Sequence, residues 1–424
     1  MNLRKSLMTV AVSTLITSSV YAATPAKSDI IDNYADIAHA TYEDSLITAK
    51  QLNTVLGQFL AQPTESNLKK AREAWIAARV PYQQSEAFRF GNALVDDWEG
   101  KVNAWPLDEG LIDYVAPGYG SESDENPFYS ANIIANKTLK IGGVSVDAST
   151  IDKKLLAETL HEIDEVEANV ATGYHAIEFL LWGQDLNGTN PGAGNRPATD
   201  FDLTNCSNDN CDRRRDYLQA ATNLLIDDLT DMTNSWAVNG EARKDLLAKG
   251  TDGGLATILT GMGSLAYGEL AGERTKLGLM LHDPEEEHDC FADNTHNSHF
   301  YDALGIKNVY LGSYTRVDGS TVSGSSLSQL VQNTAPIVDQ NLRNKLNETE
   351  AAAQVMVDEA DKGNTFDVLI GANNTQGNQV VQTFVNALVA EAEAIEHTIS
   401  VLKLENIELE GSDSLDNPAS IAAE

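Results

Sequence analysis

The chain has 424 residues, with 63 Asp and Glu against 29 Lys and Arg, for a formal charge of −34 at pH 7. So acidic a surface repels nucleic acid and anionic lipid headgroups, which argues against both as partners. Roughly 400 residues behind a leader exceed one comfortable core, so two domains are expected.

The amino terminus reads as an export signal. Arg4 and Lys5 precede an apolar run from Leu7 to Ile16, and Val20-Tyr-Ala22 suits a small-residue cleavage rule. Residues 1–22 are assigned to this leader, whose loss makes the chain two units more negative. No later stretch approaches the roughly 20 apolar residues of a membrane span. No Cys follows the apolar run, so no lipoprotein anchor is expected. The expected compartment is a periplasm, with attachment to an outer membrane through another protein left open.

Helical periodicity follows. Ile30, Tyr34, Ile37, Thr41, Leu46, Ala49, Leu52, Leu56 and Phe59 recur at spacings of three to five, with Ser28 as cap and Pro63 beyond the end. A second helix starts at Thr64 and carries Trp75, Ala78 and Phe88, with Pro81 expected to bend it. Thr150 is expected to cap a third, through Leu155, Leu160, Ile163 and Val166, running toward Gly173. Thr138 to Val146 reads as one hairpin around Gly142-Gly143.

Tyr217 to Trp236 forms a further stripe, and Leu255 to Leu281 a helix studded with five glycines, read as sites of close packing. Leu327 to Val357 and Val380 to Leu402 complete the set. Irregular stretches are expected at 91–149, 183–212 and 282–324. The fold class is all-α: two helical-bundle domains, 23–212 and 213–424, with long loops and a small hairpin. Thr64-Glu-Ser-Asn67 and Thr375-Gln-Gly-Asn378 open helices alike, and at that offset Glu86 falls opposite His397, which raises an internal duplication.

Three cysteines are present. Cys206 and Cys211 share a polar loop, and export permits a disulfide between them. Cys290 is then an odd thiol without a zinc-knuckle or haem-attachment context.

The densest chemical signal is His175-Ala-Ile-Glu178, inside the otherwise apolar Gly173-Tyr-His-Ala-Ile-Glu-Phe-Leu-Leu-Trp182. At about 100° per residue the two side chains point roughly 60° apart, on one side of a helix. Burying them is costly unless each has a charged or metal partner. A buried imidazole and carboxylate on adjacent turns form half of a metal site, or else a core ion pair. Arg79, Tyr82 and Glu86 share a face of the second helix, and Asp108, Glu109 and Asp113 follow Trp105-Pro106. These segments offer the oxygen ligands that the His-Glu pair lacks. Taken singly, they also read as solvated charges or helix caps. The cluster Asp283 to His299, with His288, His296 and His299, matches no standard zinc spacing and reads as a loop over the domain junction.

Gly173-Tyr-His175-Ala-Ile-Glu178 resembles the GxHxxE motif of the imelysin-like proteins. Trp75 to Glu86, Asn103 to Asp113 and Gly268-Glu-Leu-Ala-Gly-Glu273-Arg274 are similar to other blocks of that family, and Asp283 to His296 resembles its iron-regulated branch. The resemblance spans nearly all of the chain behind the leader. It implies two bundle-like halves with a site near their junction, export, and a role in iron acquisition. It implies His175, Glu178, Glu86 and Asp108 as metal ligands, with Arg79, Tyr82, Asp113, Glu273, Arg274 and His288 lining the site. The metal is a divalent or ferric ion, iron first and zinc second, since His with carboxylates suits these ions. The partners implied are iron or a small iron complex and a membrane iron-uptake system.

The family name carries a metallopeptidase activity, but HExxH is absent and Phe179 stands where an inverted motif needs His. No catalytic residue is assigned. The readings carried forward are a metal-binding protein, a metal-dependent peptidase, and a non-catalytic binding module whose His-Glu pair is structural.

Overall fold

The computed structural model describes residues 24–421 apart from 121, 122, 124, 125, 142 and 406. The expected leader lies outside the described residues. The architecture is all-α with two small antiparallel hairpins. The first helices are α1 (Lys27–Ala61), α2 (Glu65–Ser85), α3 (Ala93–Asn103) and α4 (Glu109–Ile112). A hairpin of β1 (Thr138–Ile141) and β2 (Val144–Asp147) precedes α5 (Lys153–Leu155) and α6 (Gly173–Trp182). Then come α7 (Cys211–Trp236), α8 (Glu241–Ala248), α9 (Gly250–Ser264), a π-helical stretch Leu265–Lys276, and α10 (Leu277–Leu281). After α11 (Thr295–Leu311) and the hairpin β3 (Ser313–Thr315) and β4 (Thr321–Ser323) come α12 (Leu327–Thr334), α13 (Pro336–Ala360), α14 (Phe366–Ile370) and α15 (Thr375–Leu402).

Most of the periodic segments fold as expected, with instructive departures at their ends. Thr64 caps α2, its hydroxyl accepting from the Asn67 N–H at 3.3 Å. Pro81 lies inside α2 without ending it, and a 3-10 turn at Glu86–Phe88 takes over instead. The first helix begins one residue before Ser28, with Ala26 in the cap position.

The third expected helix is replaced by a short α5, capped by Asp152 rather than Thr150, and a π turn over Leu156–Leu160. Glu162, Asp164 and Glu165 then adopt positive φ. Like charges crowd that run at helical spacings and weigh against a helix. The segment 327–357 is split at Ala335, whose extended backbone precedes Pro336. Helices α3 and α11 occupy stretches expected to be irregular.

Helices α1 and α2 pack along each other, α7 lies on α1, and α11 lies on both α2 and α13. In turn α15 packs on α13 and on the π-helical stretch. Helices on the two sides of residue 212 are thus in direct contact, and their buried side chains belong to one continuous core. Several glycines of the 250–281 helix permit these approaches. A Cβ on Gly261 would lie 2.5 Å from the Ala87 carbonyl oxygen, and one on Gly268 2.7 Å from that of Glu410. No helix among the described residues is long and apolar enough to cross a membrane. Cys206 and Cys211 are disulfide-bonded, and Cys290 is free.

Candidate functional site

The pocket is built where α6 meets α2 and the loop before α11. Gly173 begins α6 with φ +79°, and a Cβ there would lie 2.4 Å from the Val102 carbonyl oxygen. Only glycine lets the helix start so close to the end of α3. Trp75 of α2 donates its indole N–H to the Tyr174 carbonyl at 3.0 Å, which fixes α6 against α2. Gly183, at φ +70°, ends α6.

This frame buries His175 and Glu178 completely and joins them. The His175 Nδ1 lies 2.9 Å from Glu178 Oε2, and Glu178 Oε1 accepts the Ala292 N–H at 2.9 Å. Both carboxyl oxygens of Glu178 are therefore engaged. The other ring nitrogen of His175, Nε2, is buried with no hydrogen-bond partner. Burial first, then Arg79, pushes the His175 imidazole down to about 3, so the ring is neutral at physiological pH.

Two residues from the loop complete the pocket. The His288 ring meets that of His175 edge-on at 4.8 Å between centroids. A ring nitrogen of each histidine and a carboxylate oxygen of Asp289 lie within 4.8 Å of one another. Burial alone raises the Asp289 carboxyl, but Arg79 overrides it and holds the group at about 2. The Arg79 guanidinium reaches Asp289 at 2.7 Å and Asn103 at 2.6 Å, and it is framed by the rings of Trp75, Tyr82 and Tyr174. Asn294 and Ser298 donate to the same carboxylate. Two neutral imidazoles and one carboxylate form a donor set suited to ferrous iron, and zinc also accepts it.

The remaining expected residues fall into neighbouring groups. Glu86 accepts from Arg274 at 2.7 Å, and Arg274 also pairs with Glu269 and Asp302. Glu86 is thereby spent on a guanidinium. Asp108 precedes α4 and accepts from Asn126 at 2.5 Å, lining a separate cavity of about 420 Å³ with Glu109 and Cys290. Asp113 is clamped by Arg196 and Arg214, both at 2.6 Å. Tyr82 is buried with its hydroxyl unpartnered. Glu273 is exposed and lines, with Arg274, Trp105 and His288, an acidic cleft of about 500 Å³ that reaches His288 but not His175. A larger cavity of about 810 Å³ beside Glu286 and Asp413 has no histidine in its lining.

Sequence reasoning missed Asp289, Asn103 and the Ala292 N–H. The available signal was Asp289 itself, adjacent to His288 and followed by the short hydrogen-bonding side chains of Asn294, Thr295 and Ser298.

The glycine-histidine-glutamate geometry is matched by likeness over almost the whole chain. Residues 38–395 match the profile of the imelysin family, peptidase M75. The chain belongs to the imelysin family. A 60-residue stretch is 40% identical to iron-regulated protein A of Synechococcus elongatus, covering 14% of this chain and 17% of that protein. Two solved structures share the fold. One, assigned as an iron-regulated protein A precursor from Parabacteroides distasonis, has a TM-score of 0.63 at 18% identity, over 89% of this chain and 96% of that one. The other, an imelysin-like protein from Psychrobacter arcticum, has a TM-score of 0.59 at 16% identity, over 89% and 95%.

Proposed function

We propose that this imelysin-family protein is exported to the periplasm and binds iron, as the ion or a small complex, between His175, His288 and Asp289 for a membrane iron-uptake system. The observation that carries this reading is the buried, unpartnered Nε2 of His175 beside a second neutral imidazole. A buried ring nitrogen without a partner costs about 1–3 kcal/mol, and a metal bond would repay that cost. Glu178 then acts on His175 from behind: in the tautomer that carries its proton on Nδ1, the ring donates to Glu178 Oε2 and the Nε2 lone pair is left for the metal. Asp289 serves as the negative charge of the site, shared with Arg79. The acidic cleft favours entry of a cation. The kinship with iron-regulated protein A supports iron over zinc.

Anaerobic calorimetry of metal-free protein with Fe(II) and with Zn(II) tests the proposal. His175→Ala together with Glu178→Ala is expected to abolish high-affinity Fe(II) binding, and unchanged affinity in that double variant would sink the site. Glu178→Gln alone is expected to weaken binding by roughly 10–100-fold, as loss of a ligand-orienting partner does elsewhere. A peptidase needs a free general base, whereas both Glu178 oxygens are engaged here, which favours metal holding over hydrolysis. Peptide turnover by wild type that disappears in Glu178→Gln would reverse that preference.

A further inference from the structure

A second group of ligand atoms lies on the other flank of the loop that carries His288 and Asp289. Carboxylate oxygens of Asp185, Asp293 and Asp367 lie within 4.8 Å of one another. The three come from separate segments: the turn after α6, the end of the 287–293 loop, and the first turn of α14. Glu287 belongs to the same electrostatic group, since Asp367, Asp293 and Asp185 all act on its carboxyl.

Their hydrogen bonding is incomplete to an unusual degree. Asp367 is fully buried, and neither of its oxygens makes a hydrogen bond of full geometry, although the Val368 N–H is near enough to act on the carboxyl. Glu287 is 1% exposed with Oε1 unpartnered, and Asp293 is 8% exposed with Oδ1 unpartnered. The Thr365 hydroxyl is near enough to influence Asp293 and Asp367, yet it makes no hydrogen bond of acceptable geometry. Asp185, half-buried at the rim, commits Oδ1 to Asn187. None of the four carboxylates forms an ion pair with a Lys, Arg or His among the described residues. Burial and mutual repulsion push Asp293 up to about 8 and Asp367 up to about 6.

Three converging carboxylates without a cation, with the buried Glu287 carboxyl acting on them, are strongly unfavourable in a protein interior. Either protons or a metal ion must neutralise them. Unpartnered oxygens arriving from three segments match the way hard divalent cations are held, with oxygen ligands only. We propose that Asp185, Asp293 and Asp367 form a structural site for a hard divalent cation of the calcium, magnesium or manganese class, separate from the histidine pocket. The ion ties the turn after α6 and the start of α14 to the loop that presents His288 and Asp289. The site stands or falls independently of iron binding, because it shares no ligand with the histidine pocket.

The test is calorimetric titration of chelator-treated full-length protein with CaCl2, MgCl2 and MnCl2, with thermal unfolding in parallel. Wild type is expected to bind one equivalent of at least one of these ions, with a rise in Tm. Asp367→Asn, which preserves shape and removes a buried charge, is expected to weaken binding at least tenfold and to raise the Tm of the ion-free protein. Asp185→Asn, at the half-buried rim, is the second variant and is expected to weaken binding while leaving the core intact. His175→Ala is expected to bind these ions like wild type. Absence of saturable binding in wild type, or equal binding in wild type and both carboxylate variants, overturns the proposal and leaves the cluster neutralised by protons.

Discussion

A Cβ on Gly173 would overlap the Val102 carbonyl oxygen, and the residue's left-handed backbone adds strain to that clash. Gly173→Ala is therefore expected to cost about 2–4 kcal/mol in urea unfolding, with loss of metal affinity in whatever remains folded. A cost below about 1 kcal/mol would show that α6 can shift without harm. The same residue shows what single positions reveal. A His and a Glu inside an apolar run had to be buried, and they are. Their mutual bond follows from three-residue spacing. Asp289 carried only a local signal, because its pairing with Arg79, 210 positions away in the chain, is set by the fold. Glu86 and Asp108 show the converse. Glu86 pairs with the Arg274 guanidinium and Asp108 accepts from the Asn126 amide, in groups beside the two histidines.

At the scale of elements, amphipathic periodicity made α1, α2, α7 and α15 legible, since each repeats its apolar face over about six to ten turns. Helices without such a face escaped. In α11 the buried set mixes Ser298, His299 and Asp302 with Ile306 and Val309, so no apolar stripe marks it. Polar burial also leaves a testable mark on α15. Glu391 is fully buried beside Thr349 of α13, and burial pushes its carboxyl up to about 7, partly offset by Lys307. Its folded value lies above the roughly 4.3 of an exposed Glu, so the folded state holds the proton more tightly. The associated stability is fully present below about pH 4.3, is lost as pH rises to about 7, and is then constant. Between those limits, wild type is expected to lose on the order of 3 kcal/mol that Glu391→Gln does not lose. Parallel pH profiles of chemical denaturation for the two proteins would refute the assignment.

At the scale of the whole molecule, a formal charge of −34 over one continuous core means strong self-repulsion in the folded state. Raising NaCl from about 0.05 to 0.5 M is expected to increase Tm by a few degrees, because screening relieves this repulsion. A flat or falling Tm in scanning calorimetry would show that the acidic groups are already neutralised locally. The two-domain expectation drew on length and on the family resemblance, and neither says which helices touch. The contacts of α1 with α7 and of α2 with α11 arise from side-chain fit that periodicity does not record.

Between positions 287 and 293 the chain alternates its allegiance. Glu287 and Asp293 turn to the carboxylate cluster, while His288 and Asp289 turn to the histidine pocket. Seven residues of backbone are thus shared by two sets of ligands. The two sets share no ligand, but an ion in each would restrict the same peptide, and any coupling between their affinities would be reciprocal. By whatever factor a hard cation changes the hold on iron, iron changes the hold on that cation by the same factor. With a positive coupling, release of one ion would favour release of the other.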